Sequence, residues 1–119
     1  MSKRKILVCD DDPDIIEMLE IVLSPHFDTE CELDSRRMFD RVKTSSPDVV
    51  IVDLWMPFIS GTDLIRQFRE DSDTNGITII AISASPSGEK EAKDAGADLF
   101  IAKPFAVKAF IHAIGIVNH

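Results

Sequence analysis

A chain of 119 residues with a formal charge of −8, 45% apolar and 29% charged, is sized and composed for one globular domain around a single core, expected over 1–119 with its body at 5–117. No stretch approaches the roughly 20 apolar residues of a membrane span, and the run at 6–9 behind the basic "MSKRK" start is too short for a signal peptide, so a cytoplasmic protein off the membrane is expected. The acidity leaves no basic stripe to neutralise phosphates, which excludes direct nucleic-acid binding by this chain.

In chain order, "KILVC" (5–9) is a short, continuous apolar run. The segment 12–24 then shows helical spacing at Ile15, Met18, Leu19 and Val22, with Asp12 as cap and Pro13 at the first helical position. A weakly alternating strand follows at 27–33, and a helix capped by Ser35 runs over 35–45 to a stop at Pro47. "DVVIVD" (48–53) reads as a buried strand, and 61–71 as a helix with Leu64, Ile65 and Phe68 on one side. A further apolar strand spans 76–84, and a polar helix spans 86–96 with a C-cap glycine. A fifth strand at 98–103 and a helix at 105–117 complete the chain. Cys9 and Cys31 lack metal-type spacing and read as reduced packing residues.

Strand and helix alternate five times, and the strands at 5–9, 48–53 and 76–84 are continuous apolar runs. Such strands belong in a sheet covered on both faces, so an α/β, doubly wound parallel sheet is expected. In these folds sites lie beyond the carboxyl ends of the strands, where the strand order reverses. Asp10, Asp11 and Asp12 follow the first strand, Asp53 the third, Ser83 the fourth and Lys103 the fifth. Glu32 and Asp34 follow the second, which is expected to lie too far out to join them. Clustered carboxylates repel unless a cation sits among them, and hard oxygen donors suit Mg²⁺. A cation, a lysine and a hydroxyl around a carboxylate are the parts of a phosphoryl-transfer site with Asp53 as nucleophile. Singly, each residue has a plain structural reading: Asp12 as a helix cap, Ser83 as a helix-entry hydroxyl, Lys103 as a surface lysine. Their convergence on one rim is what carries the functional reading.

The segments "ILVCDDDPDI" (6–15), "VVIVDLWMPFISG" (49–61), "IIAISA" (79–84) and "GADLFIAKPF" (96–105) resemble two-component response-regulator receiver domains, in order and spacing, over essentially the whole chain. The resemblance implies a flavodoxin-like (βα)5 fold with strand order 2-1-3-4-5. It implies a signalling switch rather than an enzyme, taking a phosphoryl group onto Asp53 from a phosphohistidine of a sensor kinase or phosphotransfer protein. Asp10 and Asp11 match the acidic pair that holds Mg²⁺ alongside Asp53, and the Trp55 backbone carbonyl matches a further ligand. Lys103 matches the lysine that pairs with the phosphoryl oxygens, and the Lys103–Pro104 bond is typically cis in the family. Ser83 and Phe100 stand at the hydroxyl and aromatic switch positions. An output domain or a second copy would be met by the face of the fourth helix, fifth strand and fifth helix.

Departures from the family pattern are specific. Phe58 stands where a glycine is common and is expected to pack; Ser60 stands where an aspartate is common before Gly61. Phe100 lacks the hydroxyl of the commoner tyrosine, which favours an inward ring. The large indole of Trp55, expected beside the site's entrance, is expected to slow loss of the phosphoryl group. The last helix carries a core stripe (Val107, Phe110, Ile111, Ile114, Val117) and a second, alanine-rich one (Ala106, Ala109, Ala113, Ile116). Ile16 reads equally as core or as a kinase-docking contact. Alternatives are a flavodoxin-like cofactor carrier, disfavoured by carboxylates where phosphate would sit, an aspartyl-phosphate phosphatase, disfavoured by Trp55 where a second acid is usual, and a degenerate receiver acting as a phosphorylation-independent interaction module.

Overall fold

The computed structural model describes residues 4–103 and 107–117. Five parallel strands form one sheet: β1 (Lys5–Cys9), β2 (Asp28–Glu32), β3 (Val49–Asp53), β4 (Thr78–Ser83) and β5 (Leu99–Ala102). Their order is β2-β1-β3-β4-β5, as expected, so the strand order reverses between β1 and β3. The helices are α1 (Pro13–Leu23), α2 (Met38–Ser45), α3 (Gly61–Glu70), α4 (Gly88–Ala95) and α5 (Val107–Val117).

The continuous apolar strands are explained by two cores. Ile6, Val8, Ile51, Ile80 and Ile82 pack with Leu19, Leu23, Phe110 and Ile114 on the α1–α5 side. Leu7, Cys9, Val50, Val52 and Ala81 pack with Met38, Leu64, Phe68 and Ala92 on the side of α2, α3 and α4. Successive strand side chains alternate between faces, so a sheet covered twice has no polar face to show. Ile16 is partly buried against the first core. Phe110, Ile111 and Ile114 of the core stripe expected on α5 pack there too, while the side chains of Val107 and Val117 lie outside the described residues. Of the second stripe, Ala113 is half-buried, while Ala106 and the side chains of Ala109 and Ile116 lie outside the described residues, as does Pro104.

Side-chain caps open α1 and α3. Asp12 accepts the Asp14 N–H at 2.9 Å ahead of Pro13, and Ser60 accepts the Asp63 N–H at 3.1 Å to open α3. The 35–45 segment departs from expectation. It opens as a 3₁₀ turn, Ser35–Arg37, capped by Asp34 through the Arg36 N–H at 2.9 Å, and α2 begins only at Met38. Ser35 cannot cap because its hydroxyl is turned inward and used elsewhere. The fourth strand and fourth helix both start two residues later than expected, because Ile77 N–H closes a turn on Thr74 and Gly88 N–H closes one on Ser85.

Arg69 ties the far end of the sheet together. Its guanidinium donates to the Gly96, Asn75 and Ile77 carbonyls at 2.9, 2.9 and 2.6 Å and to Asp98 Oδ2 at 2.9 Å. The same Asp98 oxygen accepts the Ile79 N–H at 2.8 Å. Arg69→Ala leaves these acceptors without their partner and is expected to lower stability by about 2 kcal/mol in urea unfolding. Its distance from the strand-end acids predicts no change in their chemistry.

Candidate functional site

Asp53 ends β3 with 5% exposure, its backbone registered against Ile82 of β4. Asp10, directly after β1, is 1% exposed and fully engaged: its Oδ1 accepts the Asp12 N–H at 3.0 Å and its Oδ2 accepts Lys103 Nζ at 2.9 Å. Lys103 Nζ also lies 3.4 Å from Asp53 Oδ1. The Lys103 backbone N–H is held on the Ser83 carbonyl at 2.8 Å, which brings the end of β5 in beside β4. Asp11 is exposed at the mouth. Asp10, Asp11 and Asp53 each present an oxygen within 4.8 Å of the others, the only such group among the described residues. Asp12 is spent on its cap and Glu32 on Arg41 and the Asp34 N–H, so neither joins them.

The electrostatics follow from this crowding. Burial first, then the charge of Asp10, push the Asp53 carboxyl up to about 6 against the pull of Lys103. Burial acts to lower Lys103, but the Asp10 hydrogen bond and the charges of Asp10 and Asp53 outweigh it and hold the ammonium above its ordinary value. One ammonium against three carboxylates leaves a site deficient in positive charge. All-oxygen donors at this spacing, with an open mouth, fit a hard divalent cation such as Mg²⁺.

The loop after Asp53 is fixed at many points. Leu54 N–H donates to Ile82 and its carbonyl accepts Gly61 N–H, each at 3.0 Å, and the Cys9 thiol contacts Met56 Sδ at 3.5 Å. Trp55 between them is 63% exposed at the rim. Cys9 itself is buried, with burial and then the Glu32 charge pushing its thiol far up, so both cysteines are inert packing groups, Cys31 at about 11.

A family description for response-regulator receiver domains matches residues 6–115. The chain belongs to the response-regulator receiver domains. The receiver is 36% identical over 112 residues to the DNA-binding response regulator MtrA of Mycolicibacterium smegmatis, covering 92% of this chain and 48% of that protein. It is 34% identical over 108 residues to the response regulator MprA of Mycolicibacterium vanbaalenii, covering 90% of this chain and 47% of that one. The chain thus spans about half the length of the curated relatives it matches. Among solved structures it resembles a signal receiver domain from Bermanella marisrubri, at 30% identity, TM-score 0.89 and full coverage of both chains (100% each). The chemotaxis response regulator CheY4 of Vibrio cholerae superposes with TM-score 0.89 at 26% identity, covering 98% of this chain and 99% of that one.

Within the receiver, Ser83 and Phe100 stand beside the start of α4. Ser83 is wholly buried and its Oγ accepts the Ser85 N–H at 3.1 Å. Phe100 is half-buried against the α4-side core. Its ring edge and Ser83 Oγ both lie 3.7 Å from where a Cβ on Gly88 would sit, so the start of α4 is packed beside both. Phe58 does not pack as expected: it is 71% exposed. Its φ of +71° turns the side chain out of the loop, where the Arg36 guanidinium covers the ring at 3.7 Å from its centroid. Only Asn and Gly visit this region readily, which explains why a glycine is common here. The Ser35 hydroxyl, bonded to Pro57 and Ile59, left no sequence signal, since these partners are 22 and 24 residues away.

Proposed function

We propose that this receiver is a phosphorylation switch with Asp53 as acceptor. The observation that carries the reading is the buried Asp53 carboxylate at the strand-order reversal, within 4.8 Å of Asp10 and Asp11 and 3.4 Å from the Lys103 ammonium that also pairs with Asp10. Asp10, Asp11, Asp53 and the Trp55 carbonyl would hold Mg²⁺, which when bound supplies the missing positive charge at the developing phosphoryl oxygens. An Asp53 oxygen attacks the phosphorus of a phosphohistidine on a sensor kinase or phosphotransfer protein. A P–O bond forms as the P–N bond breaks, and the imidazole leaves with a proton. Lys103 needs only a short excursion from Asp10 and Asp53 to meet the new anionic oxygens.

Switching follows from who holds the Ser83 hydroxyl. Its oxygen accepts the Ser85 N–H in the resting loop, which leaves its hydrogen to be donated to a phosphoryl oxygen on Asp53, drawing the loop inward. Phe100 sits in the space that opens beside it and has no polar tip to keep it outside. The α4–β5–α5 face is where a partner, an output domain or a second copy would sense the change.

Intact mass after incubation with Mg²⁺ and acetyl phosphate tests the reading. The wild-type chain is expected to gain one phosphoryl group, and Asp53→Asn none. Equal masses with and without the donor would count against an accepting Asp53.

A further inference from the structure

Pro57, Phe58 and Ile59 form a three-residue turn closed by the Ile59 N–H on the Pro57 carbonyl at 3.0 Å, with φ +71° at its centre. A γ-turn of this sign is rare and strained, and a phenylalanine held there adds roughly 1–2 kcal/mol over glycine. Left alone, the turn would relax. It is held from outside by three consecutive residues of the β2–α2 connection. Asp34 grips Arg36 through two contacts, to Nε at 3.1 Å and to an Nη at 2.9 Å, and Arg36 lies over the Phe58 ring. Between them Ser35, 2% exposed, donates its hydroxyl to the Pro57 carbonyl at 2.8 Å and accepts the Ile59 N–H at 3.1 Å. One hydroxyl therefore bonds both ends of the strained turn.

Pro57 lies two residues beyond Trp55, whose backbone carbonyl is the one Mg²⁺ donor in the proposed set that no side-chain rotamer can adjust. We propose that Ser35 is a positioning residue: its hydroxyl holds the β3–α3 loop so that the Trp55 carbonyl is presented to the cation, and this inference rests on the Mg²⁺-dependent reading above. The strained turn has a purpose in this view. It fixes the course of the chain just beyond Trp55, and the clamp keeps it bent while Trp55 and Phe58 project to solvent.

The test is Mg²⁺ affinity by Trp55 fluorescence, with amide exchange of the 55–59 loop in the metal-free protein as a second readout. Ser35→Ala is expected to weaken Mg²⁺ binding about tenfold, in the range of groups that orient metal ligands, and to speed exchange at Ile59. Adding Phe58→Gly removes the strain the clamp opposes and is expected to restore most of the affinity. A merely structural Ser35 would lower the melting temperature and leave the affinity unchanged, which overturns the proposal; so does a folded double variant as weak as the single one. A wild type silent to Mg²⁺ by fluorescence and by calorimetry would instead overturn the parent reading, and the positioning role with it.

Discussion

Asp53→Asn is expected to melt roughly 10 °C above the wild type near pH 7.5 in the absence of divalent cations. The physical reason is a carboxylate held with 5% exposure beside Asp10, with its carboxyl raised to about 6. In the unfolded chain the same group titrates near 3.8. Below that value both states hold the proton and the group contributes nothing. As pH rises from there towards 6, the unfolded state sheds its proton first, and stability falls. Above 6 the folded state carries the full penalty, about 3 kcal/mol by the conversion of pKa difference to free energy. The gap between Asn variant and wild type should therefore close on acidification to about pH 4, the opposite of an aspartate stabilised by a salt bridge. Mg²⁺ should close it from the other side, because a cation at 100 times its dissociation constant adds about 2.7 kcal/mol to the wild type alone. Thermal unfolding against pH, with and without Mg²⁺, checks both limbs. A variant less stable than the wild type at neutral pH would mean that the Lys103–Asp53 contact outweighs burial and repulsion.

Much of this site was legible in the sequence because its logic is local. Apolar strands ending in acids, a hydroxyl and a lysine announce what the carboxyl edge of a parallel sheet collects, and the strand order then brings Asp10, Asp53 and Lys103 together. The cap at Asp12 follows from the Asp–Pro pair. What stayed hidden depends on contacts between distant segments. Ser35 looks like a helix cap until its hydroxyl is seen to reach Pro57 and Ile59, and Asp34 caps in its place. Phe58 looks like a packing residue because an apolar side chain after an apolar strand usually is. Its positive φ, set by the turn and held by the clamp, sends it outward instead.

Gly61 makes the same point with a larger energy. In the sequence it is only the first residue of a helix, a place where alanine would serve better by propensity. In the fold, a Cβ on Gly61 would stand 2.2 Å from the Asp53 carbonyl oxygen and 2.8 Å from Leu54 Cα. Both are backbone atoms of the residues at the centre of the site, and neither can rotate away as a side chain would. Gly61→Ala must therefore push α3 off the end of β3, disturbing the Gly61 N–H bond to Leu54 and the Ser60 cap with it. Overpacking of this kind is expected to remove about 3 kcal/mol in urea unfolding and to weaken Mg²⁺ binding by displacing the loop that carries Trp55. Gly88→Ala is the matched control. Its new Cβ would crowd the Cδ1 tip of Leu54 at 2.8 Å, which can swing aside, would meet Phe100 and Ser83 Oγ at an ordinary contact distance of 3.7 Å, and the helix gains propensity. That substitution is expected to change stability by less than about 1 kcal/mol. Equal losses in the two variants would show that the backbone around Asp53 yields as readily as a leucine tip, and the site would then be softer than its geometry implies.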